Sequence, residues 1–128
     1  MNNTNAFIQE DLVPFYKRAF EAFKQNHHSM YSVLNSFMSG KKNHVGMKVT
    51  ENDQVVGEYT VYMDGPNFSH IDTGHLSSEI HTPFGIIRPY IIIERSTLEK
   101  MIQDEPNFIK EPFATKAKYY RDMTIKFL

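Results

Sequence analysis

Residues 67–81 read NFSHIDTGHLSSEIH and hold His70, Asp72, His75, Glu79 and His81 in one stretch. Imidazoles and carboxylates are the side chains that bind zinc or move protons near neutral pH. The stretch therefore raises a metal centre or an acid–base pair as its first readings. Spacing argues against metal. Ligand pairs usually meet through secondary structure, at i and i+4 on a helix or i and i+2 on a strand. His70 and Asp72 can share a strand face, but Thr73-Gly74 reads as a turn. His75 and His81 would stand some ~20 Å apart if extended, and no H-E-x-x-H motif occurs. The expectation is a solvated polar hairpin over one end of a sheet, with no metal and no cofactor. His70 and Asp72 are left as the candidate acid–base pair.

Other chemistry is scarcer. The glycines form no GxGxxG or GxxxxGK[ST] phosphate loop, and no GxSxG elbow presents a serine nucleophile. The absence of cysteine excludes disulfides, thiolate zinc sites and a Cys nucleophile. Glu58 and Asp64 flank a strand without a base or an orienting partner in view. The pattern points away from an enzyme. With 14 Lys and Arg against 15 Asp and Glu, the net charge is −1, which is no footprint for nucleic acid. No apolar run approaches the ~18 residues of a membrane span. The N-terminal MNNTNAFIQEDLV lacks a basic region followed by an apolar core, so a cytoplasmic protein is expected. Ten Phe and seven Met suit an interior with bulky, adaptable walls.

The elements that would position these residues divide into two periods. Ile8, Leu12, Phe15, Tyr16, Ala19, Phe20 and Phe23 recur at helical spacing, with Pro14 placing a helix start near Asp11. Met30, Val33, Leu34, Phe37 and Met38 mark one face of a second helix over 29–39, closed by Gly40. From His44 the period becomes two: Val45, Met47 and Val49, a turn at Asn52-Asp53, then Val55 to Met63 and a second turn at Asp64–Asn67. Residues 86–95 predict an apolar strand whose Pro89 marks an edge or bulge. Ser96 and Glu99 match a capping box for a short helix carrying Leu98, Met101 and Ile102. The closing AKYYRDMTIKFL predicts a strand with Tyr119, Arg121, Met123, Ile125 and Phe127 on one face. An arginine there would need a salt bridge, a path to solvent or a ligand carboxylate. Helices followed by a meander give an α+β fold in a single domain, residues 1–128.

Three segments resemble the sterol carrier protein-2 family. GEYTVYMDGPNFSHIDTG (57–74) is similar to its strand–Asp-Gly–strand hairpin, RPYIIIERSTLEKMI (88–102) to its strand feeding a small helix, and PFATKAKYYRDMTIKFL (112–128) to its closing segment. HLSSEIHTPFG (75–85) departs as an insertion, Ala114-Thr115-Lys116 replaces the usual glycine-lysine approach to the last strand, and the chain stops at Leu128 without the helix that covers the tunnel in many relatives. The resemblance implies N-terminal helices packed on a mostly antiparallel five-stranded sheet around a hydrophobic cavity for a fatty acid, acyl chain or sterol-like lipid. Phe20, Phe23, Met30, Leu34, Phe37 and Met38 would line it from the helices. Tyr59, Val61, Ile92, Leu98, Met101, Ile102, Met123 and Phe127 would line it from the remainder, with Arg121 as a polar anchor. The alternatives are an α+β cone of the nuclear transport factor-2 kind, using His70 and Asp72 for hydrolase or isomerase chemistry, and a regulatory module forming a homodimer through an apolar edge at Ile91 and Ile93.

Overall fold

The computed structural model describes residues 3–128. The chain begins with one long helical stretch, in which α1 (Asn3–Phe7) and α2 (Val13–Asn26) are joined by a π-helical turn, Ile8–Leu12. Pro14 explains the turn. A proline inside a helix has no N–H, and its ring crowds the carbonyl one turn back. Just before it, the Val13 N–H bonds to the Ile8 carbonyl, five residues away, and this wider turn absorbs the mismatch. The expected start near Asp11 is thus an irregularity inside a continuous helix. His27, with φ −128° and ψ 50°, breaks the path before α3 (His28–Met38).

Three antiparallel strands follow: β1 (Lys42–Glu51), β2 (Gln54–Asp64) and β3 (Asn67–Thr73). Asn52 and Asp53 join the first two with positive φ (52° and 64°), the geometry that matches strand twist in a two-residue hairpin. A crossing segment leads to a small hairpin, β4 (Ile80–Thr82) and β5 (Gly85–Ile87), and then to β6 (Pro89–Glu94), which lies parallel to β1. Next come α4 (Arg95–Gln103), α5 (Glu105–Lys110) and α6 (Pro112–Tyr120), and β7 (Met123–Phe127) returns antiparallel to β6. The sheet order is β3-β2-β1-β6-β7. This is the expected α+β class with a mostly antiparallel five-stranded sheet.

Several expectations need correction. The helices are not confined to the N-terminal side, because α4–α6 lie between β6 and β7. Residues 67–81 are an edge strand followed by a crossing segment, not one hairpin. Residues 117–120 are helical, so Tyr119 belongs to α6 and shares no strand face with Met123, while Arg121 sits exposed in the following turn. Pro89 is the first residue of an interior strand, where its missing N–H costs no bond to β1, whose pairing starts at Tyr90. Ser96 is already inside α4, whose N-cap is Glu94, so the capping box does not form. The Glu94 carboxylate instead accepts from the Thr50 hydroxyl and from the Asn52 N–H at 3.1 Å, fastening the β1–β2 turn.

The core lies between the sheet and the N-terminal helical stretch. Met47, Val49, Tyr59 and Ile93 meet Ile8, Leu12 and Phe15 there, all essentially inaccessible. Tyr59 can lie back along its own strand because residue 57 is glycine: a β-carbon at Gly57 would fall 2.5 Å from the Tyr59 hydroxyl. That hydroxyl donates to the Asn5 side chain, and burial raises its pKa. Polar clamps hold the later helices. Arg18 reaches Glu105 through two bonds of 2.8 and 2.9 Å. Asp104 accepts from Lys118 (2.7 Å), Asn107 (2.6 Å) and the Tyr119 hydroxyl (2.8 Å), which together hold its carboxyl down to about 2.

Candidate functional site: an uncovered apolar floor beside the core

Alternation along paired strands sorts the sheet into two faces. On the helix side, Met47 stands in register with Tyr59 and Ile91, Val49 with Ile93, and Ile93 with Met123. One step toward the start of β1 the same face continues through Val45 and Val61, while Ile91 and its partner Ile125 extend Met47's own row toward the β7 edge. Phe127, opposite Pro89, ends it. Burial falls toward the start of β1 and toward the edge strand β7. Met47 and Val49 are sealed, Val45, Val61 and Ile91 are half-buried, and Ile125 and Phe127 are 57% and 65% exposed. The helix-facing side of one sheet is therefore packed where the N-terminal helices cross it, half-covered toward the start of β1 and open at the β7 edge.

The helices around the open end carry apolar groups that find no burial either. α3 has no buried residue: Leu34 and Met38 are half-covered, while Met30, Val33 and Phe37 face solvent, Phe37 at 72%. Its placement is fixed at the β2–β3 side, where the Tyr31 hydroxyl donates to Asn67 (2.8 Å) and Gly65 abuts the Met38 carbonyl. Phe20 stacks at 6.1 Å on Phe68 of β3, and Phe23 meets the exposed Phe113 of α6 edge-on at 5.7 Å. The expectation that Met30 and Phe37 point into a closed interior fails, because α3 packs on α2 without closing over the sheet.

The structure divides the expected ligand-lining residues into groups. Val61 and Phe127 lie on the floor, and Phe20, Phe23, Met30, Leu34, Phe37 and Met38 belong to the helices beside it. Tyr59, Leu98 and Met101 are in the packed core, and Met123 packs against it at half burial. Ile92 is on the opposite face, since its partners Lys48 and Thr124 alternate with the core residues. Arg121 stands beyond β7 at the packed end, away from the floor. Ile102 lines a separate hollow of about 310 Å³ between the N-terminal helices and α4, whose walls include Glu10, Asp11, Arg18 and Glu99. That lining suits no hydrocarbon. Val45, Ile91, Ile125 and Phe113 were not expected in the site. For the first three the signal was available: alternation places them with Met47 and Ile93.

His44 and His70 occupy the outward face. His44, Tyr62 and His70 form a cross-strand ladder, with ring centroids 5.1 and 4.6 Å apart. His70 Nε2 lies 3.5 Å from Asp72 Oδ1, and both side chains are more than half exposed. That position gives a substrate no walls. Among the described residues no cluster of His, Asp and Glu could hold a metal ion. His75 faces Glu58 at 3.4 Å, and His81 bonds Asn43 at 2.8 Å, so both tie the crossing segment to the sheet. Ile91 and Ile93 lie on an interior strand and offer no edge for pairing; the free edges are β3 and β7.

No protein-family model, curated protein or solved structure matches this chain. Its function is therefore argued from the geometry.

Proposed function

We propose that this chain is a non-enzymatic, cytoplasmic binder of an apolar ligand, a fatty acid, acyl chain or sterol-like lipid, of the sterol carrier protein-2 kind. The observation that carries the reading is the incompletely covered floor, half-buried at Val45, Val61 and Ile91 and exposed at Ile125 and Phe127, which continues the core face of the sheet. The order of elements supports it: helices, a three-stranded meander, an apolar strand feeding a short helix, and a closing strand. Binding would proceed by desolvation. Each methylene moved from water onto such a surface contributes about 0.8 kcal/mol, so a long acyl chain binds without a covalent step and without a strong polar anchor.

Native mass spectrometry of gently purified protein, with organic extraction of whatever accompanies it, is the direct test. A bound fatty acid or sterol-like mass supports the reading. A clean apo mass that stays unchanged after incubation with fatty acids overturns it.

A further inference from the structure

The β4–β5 hairpin has a feature that the ligand floor does not use. Phe84, at its tip, is 100% exposed, and Ile86 and Ile87 behind it are also exposed. The tip is a formed turn. The Thr82 hydroxyl donates to the Gly85 carbonyl (2.7 Å) and accepts from the Phe84 N–H (3.2 Å), while Gly85 takes a φ of +124°. Phe84 is thus held outward by the backbone.

The hairpin projects from the end of the sheet where the floor opens. The segment before it bridges to His44 near the start of β1, and Arg88 just after it accepts from the N–H of Leu128, next to Phe127. Lys41 and Lys42 enter β1 at this end, and Lys126 flanks Phe127. Among the described residues none of Lys41, Lys42, Arg88 and Lys126 is in an ion pair. They outnumber the acids there, Asp64 and Glu79, although the whole chain carries a net charge of −1.

We propose that this end of the molecule docks on an anionic lipid surface, with Phe84 as the inserted side chain and the four cations set against headgroup phosphates. An exposed aromatic tip and unpaired basic residues at one end of a molecule are a combination that apolar insertion and anionic headgroups jointly stabilise. A second copy fits poorly. A two-fold interface centred on the tip would bring the same cations face to face. The proposal extends the carrier reading by turning the open floor toward a membrane, but it rests on a different set of residues.

Sedimentation with phosphatidylcholine vesicles, with and without phosphatidylglycerol, tests it. Wild-type protein is expected to partition onto the anionic vesicles, less so as salt rises. Phe84→Ser is expected to weaken partitioning by at least about tenfold. Lys41→Gln with Lys42→Gln is expected to weaken it severalfold. All variants should keep the wild-type melting temperature within a few degrees and bind soluble fatty acid as wild type does, which separates failure here from failure of the carrier reading. Absence of wild-type binding to anionic vesicles, or undiminished binding by Phe84→Ser, overturns the proposal. So does a vesicle-free dimer that Phe84→Ser dissolves.

Discussion

Replacing Ile125 and Phe127 together by threonine separates binding from stability. Threonine keeps the β-branched shape that a strand favours while removing most of the apolar surface. Full burial of an Ile or Phe side chain is worth about 1.5–3 kcal/mol. These two are 57% and 65% exposed, so a ligand on the floor has a little over half of that left to gain from each. The pair therefore contributes roughly 2–4 kcal/mol to an occupied site, a loss of about 30- to 700-fold in affinity on substitution. The part already covered in the free protein is smaller, and its loss costs about 1–2 kcal/mol of stability, lowering Tm by roughly 4–10 °C. At 25 °C the variant stays folded, so its Kd reads the floor and not the fold. Titration with an environment-sensitive fluorescent fatty acid gives the Kd, and urea unfolding gives the stability. A double variant that binds as tightly as wild type would refute the placement of the ligand. One that loses most of its stability would show that the open end is part of the core after all.

Three further outcomes are expected. A β-carbon at Gly46 would lie 2.6 Å from Leu76 Cδ1, so Gly46→Ala should cost about 1–3 kcal/mol by overpacking and Leu76→Ala about 2–4 by cavity formation. The double variant should cost clearly less than the sum in urea unfolding, because the new methyl occupies the vacated space; simple additivity would mean that the crossing segment does not rest on the sheet. Hydrogen bonds from Lys118, Asn107 and Tyr119 hold the Asp104 carboxyl down to about 2, below its unfolded value, so its contribution is present above roughly pH 4 and is lost as pH falls toward 2. Asp104→Asn should flatten that limb of the stability curve, and an unchanged acid limb would count against the cluster. Burial raises Tyr16 to about 12, and Tyr59 and Tyr119 are raised with it, so the ultraviolet titration should show these three ionising late. Neutral Tyr16 favours the fold below pH 10, and that support disappears between about pH 10 and 12; seven tyrosines ionising together near pH 10 in folded protein would contradict the burial of Tyr16.

Period and turn chemistry made most of the sheet legible. Val45-Met47-Val49 and the Asn52-Asp53 turn predicted β1 and its partner because alternation and positive φ are local properties. The C-terminal third was harder. Lys118 to Tyr120 read as the start of the closing strand yet are helical, since Tyr119 is claimed by Asp104 and by Phe108, whose ring stacks on it at 5.8 Å. That contact is tertiary and leaves no local trace. Ser96 and Glu99 had the right spacing for a capping box, but the helix starts earlier because Glu94 is drawn to the β1–β2 turn. Alternation made the face that carries the site legible, but not how far that face is covered. Which apolar residues line an open surface depends on where a helix stops covering the sheet, and patterning reports the buried face without reporting how completely it is covered.

That distinction explains how one sheet face can support both a stable fold and an open site. The covering unit is the N-terminal helical stretch, and its contacts fall on Tyr59, Met47 and Val49. The π turn before Pro14 keeps Ile8, Leu12 and Phe15 on the core side, and the helix side chain of Gln9 donates to the Ile71 carbonyl at 2.8 Å on the edge strand β3. Past Phe15 the burial of α2 declines, and α3 leaves with no buried residue. Stability is thus concentrated where the first helices cross the sheet, and the remaining apolar surface is left uncommitted. A surface that the fold does not need can be covered by a ligand without repacking the core, which is why the two effects of Ile125 and Phe127 should separate in measurement.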